Sequence, residues 1–253
     1  LMLMANILLR IFRQETIVDD EEFSEEEVMS MLEVGQETGI IKEEGKKMTT
    51  SCCPAFMNMI KKHFPKQYEE NVSATVSPMC AISRYLKATR PGCVTVFLGP
   101  CIAKKSEAAD KSIPGNADYV ITYGEFRALM RSKGIQVESD DNSYQESSIW
   151  GKRFATSGGV ANAVLECMHE RGQDTSHITY VQVAGGTECK TTLTMLKAGR
   201  LKEDFVEGMI CEGGCVGGPS KHKTEMEIKK AREGLLKKAD GRKVLDNLKD
   251  YPM

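Results

Sequence analysis

Apolar residues recur at Phe56, Met59, Ile60 and Phe64, and again at Met79, Ile82, Tyr85 and Leu86, the three- and four-residue spacing of one helical face. Each stretch carries a proline in its first turn, Pro54 and Pro78, where the missing N–H costs nothing. Ser77 precedes the second stretch as an N-cap, and Pro91-Gly92 stops it. Upstream, Ser24 and Glu27 fit a capping box ahead of Val28, Met31 and Leu32. Four short apolar runs read as buried strands: Val94-Thr-Val-Phe-Leu98, Asp118-Tyr-Val-Ile-Thr122, and residues 178–183 and 205–210. Thr122 and Glu125 cap a helix over 126–133 that ends at Gly134. Phe154-Ala-Thr-Ser-Gly-Gly-Val160 opens a helix reaching His169, and a further helix over 191–197 ends at Gly199. Residues 138–148 read as a polar surface loop, and 221–250 as a lysine-rich amphipathic helical tail with a solvated face.

Strands alternating with helices predict an α/β fold with mostly parallel strands, whose sites lie beyond the carboxyl ends of the strands. A hydrophobic share of 41% and a charged share of 28% over 253 residues are globular values, enough for one large domain or two small lobes. A net charge of −2 with no basic arm argues against nucleic acid as a partner. The apolar start runs for only nine residues before Arg10, too short to span a membrane, and it lacks the basic lead of a signal peptide. No membrane insertion is expected, and the chain reads as cytoplasmic. It begins at Leu, as a processed product or fragment would.

Nine cysteines, an odd number without a secretory signal, favour metal binding or catalysis over a disulfide framework. The fourteen methionines read as core filler. In Glu207-Gly-Met-Ile-Cys-Glu-Gly-Gly-Cys-Val-Gly-Gly-Pro219, Cys211 and Cys215 sit among glycines that let backbone amides approach a bulky group. Cys53 falls at a helix start, where a thiol meets exposed N–H donors, and Cys101 follows a strand in Gly99-Pro-Cys101. Scattered cysteines of this kind fit a buried [4Fe–4S] cluster or coincidental buried thiols, and spacing alone leaves both readings open.

Thr50-Ser-Cys-Cys-Pro54, Gly99-Pro-Cys-Ile-Ala-Lys-Lys-Ser-Glu107 and Glu207-Gly-Met-Ile-Cys-Glu-Gly-Gly-Cys215 closely resemble the three signature motifs of [FeFe]-hydrogenases, in the family's order. The resemblance runs from about residue 24 to residue 219. It implies two lobes of mostly parallel sheet flanked by helices, with the H-cluster between them, in a catalytic domain over 1–219 followed by a basic tail over 220–253. It further implies that Cys53, Cys101, Cys211 and Cys215 bind the [4Fe–4S] cubane, and that Cys215 is shared with a diiron subcluster carrying CO, cyanide and a bridging dithiolate. Cys52 would give and take the proton, and Lys104 would hold a cyanide. Glu107 and Ser73 match members of a proton path from Cys52 outwards. Met209 and Phe154 match residues packed at the diiron site, while Ser51 and Pro100 flank the ligands within the motifs.

Plain alternatives stand beside these roles: a surface helix carboxylate for Glu107, a turn residue for Ser73, core packing for Met209 and Phe154. A buried lysine with no anionic partner would tend to lose its proton, so Lys104 is expected to need the cofactor. Glu33 and Glu37 lie in the right helix for further path residues, but only with a gap. Cys80, Cys93, Cys167 and Cys189 match no ligand and read as small hydrophobes, with Cys80 a neighbour of the pocket. Three departures stand out: Gly99 where the family usually has methionine, Met79 where many members have glutamine, and a shortened Val216-Gly-Gly-Pro219. They resemble the family's divergent, sensory or very small members. The implied function is reversible interconversion of protons and H2. A slow H2 or redox sensor, or an iron–sulfur assembly-type protein holding only the cubane, are the alternatives. Maturation proteins and an electron carrier such as ferredoxin, or a partner subunit, are the implied partners.

Overall fold

The computed structural model describes residues 47–135, 148–239 and 241–245. The expected helix after Ser24, with Glu33 and Glu37, and most of the polar loop lie outside the described residues. Among the described residues, five parallel strands form two sheets. In the first, β1 (Met48–Thr49), β5 (Phe205–Met209) and β4 (Tyr180–Ala184) lie in the order β1-β5-β4; in the second, β2 (Val96–Gly99) pairs β3 (Tyr119–Thr122). Phe205 is flanked by Met48 and Tyr180, so β5 is the central strand, and all five of its residues are buried.

The helices are α1 (Pro54–His63), α2 (Pro65–Asn71), α3 (Pro78–Thr89), α4 (Ala103–Ala108), α5 (Tyr123–Ser132), α6 (Ile149–Arg153), α7 (Gly159–Glu170), α8 (Gly186–Lys197) and α9 (Glu225–Leu236). One face of the first sheet is covered by α1 and α8. There Phe56, Ile60 and Phe64 pack with Cys189, Leu193, Leu196, Val183 and Val206. Each fully buried large side chain of this set contributes about 1.5–3 kcal/mol. Helix α7 supplies a separate cluster in which Val160, Ala163, Val164, Cys167 and Met168 meet Cys52, Phe154, Met209 and Val244. The smaller sheet packs Leu98 on Phe126 and Met130 of α5.

Local signals govern most boundaries. Pro54, the Ser77 cap and the Thr122–Glu125 capping box open α1, α3 and α5 as expected. Helix α1 ends at His63 rather than at Phe64, because Pro65 forces Phe64 out of helical geometry (φ −139°) and starts α2. Two strands begin two residues late. The amides of Thr95 and Thr179 donate to the side chains of Asp118 and Asp204, which take the place of a strand partner. Helix α8 starts at Gly186, five residues ahead of expectation, with Gly185 (φ 104°) making the turn directly out of β4. The helix expected to open at Phe154 starts only at Gly159, after a turn in which Gly158 is left-handed (φ 84°), and α6, which ends just ahead of Phe154, is a helix the sequence pattern does not announce.

Candidate metal centre

Four cysteines reach one region from three starting points. Cys53 is the N-cap of α1 in extended geometry (φ −94°, ψ 106°), and its side chain makes no capping hydrogen bond. Cys101 follows β2, and the N–H groups of Lys104 and Ala103 at the start of α4 are directed at its sulfur. Cys211 and Cys215 follow β5, around a turn in which Gly213 (φ 74°) and Gly214 (φ 97°) are left-handed. A Cβ at Gly214 would lie 2.6 Å from Thr156 Cα and Ser157 N, so only glycine allows this turn to lie against the 154–159 segment. The Ser157 amide donates to the Gly213 carbonyl (3.3 Å) and the Val216 amide to the Ala155 carbonyl (3.2 Å).

Cys101, Cys211 and Cys215 each lie in the field of at least one other of these thiols. Burial raises Cys101, and the neighbouring Cys53 adds to the shift. Burial pushes Cys211 up to about 11, with Cys53 and Cys101 contributing. Cys215 is pushed up to about 12, again by burial first and then by Cys53, Cys101 and Cys211. Ionising neighbouring thiols together is costly unless a cation lies among them, and all four donors are soft sulfur. Among the described residues, no three His, Cys, Asp or Glu side chains are grouped to hold one metal ion. A cubane does not need such a group, since each of its irons takes one thiolate. The donor set therefore fits a [4Fe–4S] cluster.

Lys104 is buried and donates to Ser77 Oγ (2.8 Å) and Glu107 Oε2 (2.9 Å), while Ser77 Oγ also donates to Glu107 Oε1. Burial acts to strip the Lys104 proton, but Glu107 outweighs it and holds the ammonium above its usual range, with Cys215 and Cys101 assisting. This corrects the expectation that Lys104 lacks an anionic partner until the cofactor arrives: Glu107 is that partner. It also replaces the surface carboxylate alternative for Glu107. Cys80, buried on α3, lies in the field of both Glu107 and Lys104, and burial raises its thiol.

The other implied residues divide. Cys52, Phe154 and Met209 share one buried apolar cluster, and Cys215 packs against it. Pro100 accepts the Ser220 amide on its carbonyl (3.0 Å), tying the Cys101 segment to the end of the third motif. Ser51 and Ser73 meet at Thr75, the first donating to its carbonyl (2.5 Å) and the second to its hydroxyl (2.9 Å). Ser73 thus bonds to Thr75, whereas the Glu107 carboxylate accepts from Ser77 and Lys104.

The family model for the iron only hydrogenase large subunit, C-terminal domain, matches residues 7–219. The chain belongs to this hydrogenase family. It is 26% identical over 241 residues to iron hydrogenase 1 of Clostridium pasteurianum, covering 76% of this chain and 42% of that protein. The chain thus spans less than half of that relative's length. It is also 26% identical over 151 residues to the cytosolic Fe-S cluster assembly factor NAR1 of Kluyveromyces lactis, covering 55% of this chain and 32% of that protein. A solved [FeFe]-hydrogenase, studied for oxygen inactivation through its 2Fe subcluster, superposes with a TM-score of 0.63 at 21% identity, over 92% of this chain and 80% of its own. That likeness gives the fold: parallel sheets flanked by helices.

Two residues of this hydrogenase-family site escape a reading of its sequence. Ser77 looks like an ordinary N-cap, yet it also links Lys104 to Glu107. Glu207, in the middle of β5, is completely buried and accepts the amides of Gly158 (2.7 Å) and Ala161 (2.8 Å) across the start of α7. Burial pushes its carboxyl up to about 7 against the pull of these donors. Its one local signal is a charge inside an otherwise apolar central strand. Among the described residues, no helix is long and apolar enough to cross a membrane.

Proposed function

We propose that this chain is the H-cluster domain of an [FeFe]-hydrogenase, interconverting protons and electrons with H2. The observation that carries the reading is the meeting of Cys53, Cys101, Cys211 and Cys215 with a buried ammonium, Lys104, that acts on Cys101 and Cys215. When bound, a [4Fe–4S] cluster joined to a diiron unit with CO, cyanide and a bridging dithiolate supplies the redox-active iron. Cys53, Cys101 and Cys211 would hold the cubane alone, and Cys215 would also be the thiolate shared with the diiron unit. Lys104 would offset the negative charge of the cyanides, kept in place by Ser77 and Glu107. Phe154 and Met209 would exclude water beside Cys52, whose Sγ takes and returns the proton. The bonding of Glu107 to Lys104 and Ser77 favours a holding role for it over a relay. An electron carrier such as ferredoxin, or a partner subunit, would serve the domain after maturation proteins load it in the cytoplasm. The boundary proposed at 219/220 follows the end of the third motif.

Two readings compete on specific observations. The likeness to the assembly factor supports a protein that holds the cubane alone. A slow sensor is supported by Gly99, where a Cβ would lie 2.7 Å from the Phe97 ring: this aromatic fills the space a larger residue 99 would enter. Met79, fully buried without a donor, adds to that reading. Maturation with the diiron cofactor, infrared spectroscopy and H2 assay from reduced viologen separate the three. A hydrogenase shows CO and cyanide bands, with turnover that Cys52→Ala abolishes. Bands with little turnover leave the sensor, and no bands leave the assembly-type protein.

A further inference from the structure

We propose that Glu207 is a positioning residue for the metal centre, acting through the 154–159 turn to fix the loop that carries Cys211 and Cys215. It rests on the reading that the four thiols hold an iron–sulfur cluster. The physical basis is a closed ring of contacts. From Glu207, β5 runs through Met209 into the Cys211–Cys215 loop. That loop lies on the 154–159 turn at Gly214, and is fastened there by the Ser157–Gly213 and Val216–Ala155 hydrogen bonds. The turn is in turn held by the Glu207 carboxylate through Gly158 N and Ala161 N. A second tie comes from α9, where Arg232 Nη2 donates to Thr156 Oγ1 (3.0 Å).

A carboxylate is suited to this place. It presents two oxygens to the unpaired amides at the start of α7, and a negative charge is favoured at a helix N-terminus. The turn is closely packed here: a Cβ at Gly159 would meet the Arg153 carbonyl oxygen at 2.1 Å. Phe154, at the head of the same turn, packs with Cys52 and Met209. Glu207 therefore holds the turn against which both the ligand loop and the apolar wall beside Cys52 are set.

The test compares the wild type, Glu207→Gln and Phe126→Leu after anaerobic reconstitution with iron and sulfide. Phe126 lies in the core of the other sheet, and its variant controls for lost stability. Each protein is challenged with a ferrous chelator, and the dithionite-reduced cluster is examined by electron paramagnetic resonance. Glu207→Gln keeps one acceptor but turns an amide N–H toward a backbone N–H. It should lose iron about 10-fold faster than the wild type, the lower end of the effect of removing a group that orients metal ligands. It should also shift the resonance signal. Phe126→Leu should retain both wild-type rate and signal. Glu207→Asp, which keeps the charge on a shorter arm, should fall between and covers the case in which the glutamine variant fails to fold. Equal rates and signals in the Glu207 and Phe126 variants would overturn the proposal. A wild type that takes up no cluster overturns the metal-site reading itself, and the inference with it.

Discussion

Two buried carboxylates in this chain have met desolvation in different ways. Glu107 shares its site with the Lys104 ammonium, and both side chains are nearly sealed from solvent, at 8% and 9% exposure. Charge is matched with charge, and Ser77 joins the pair. Glu207 has only backbone amides, which carry partial charge, and burial wins: its carboxyl titrates near 7 instead of 4.5. A group whose folded pKa is raised stabilises the fold most fully below its unfolded pKa, and that contribution is lost as pH rises through the folded value. Stability of the wild-type apo-protein should therefore carry a falling term between pH 4.5 and about 7, levelling off above. One proton corresponds to at most about 1.4 kcal/mol per pH unit. Urea denaturation across this window should show that slope reduced by about this amount in Glu207→Gln; an unchanged slope would place the titration elsewhere.

Elements were legible in the sequence where their cause lies within a few residues. Pro54, Ser77 and the Thr122–Glu125 pair mark helix starts that the structure keeps. The strands expected from Val94 and Ile178 begin two residues later, because the carboxylates that engage Thr95 and Thr179 stand 23 and 25 residues further along the chain. The two-residue β1 has no periodicity of its own and exists by pairing with β5. The same distance rule divides the site. The cysteines stand in motifs that could be read directly, whereas the role of Glu207 depends on amides 49 and 46 residues away. Gly208 shows how closely α1 is seated on β5, since a Cβ there would lie 2.3 Å from the Phe56 ring. Gly208→Ala should cost about 1–3 kcal/mol by overpacking. Combined with Phe56→Leu, which makes room, it should cost less than the sum of the single changes in urea denaturation.

At the scale of the molecule, two sheets that share no strand meet where Cys101 approaches Cys53, Cys211 and Cys215. The C-terminal segment returns to this region. Glu170 accepts the amides of Val244 and Leu245 (2.8 Å each), and Val244 is buried in the Cys52 cluster. Glu170→Ala removes a cap worth about 1 kcal/mol. Alkylation of Cys52 in the apo-protein, read by peptide mass spectrometry, should then be about fivefold faster, the factor this energy gives for a local opening. An unchanged rate would mean that the segment does not cover the thiol.

That return has a consequence in time. A ribosome delivers Cys52, Phe154, Val164 and Met209 before Val244, so the nascent apolar cluster is missing one wall until Val244 emerges. Synthesis itself thus leaves a doorway beside Cys52 until the segment around Val244 follows and shuts it.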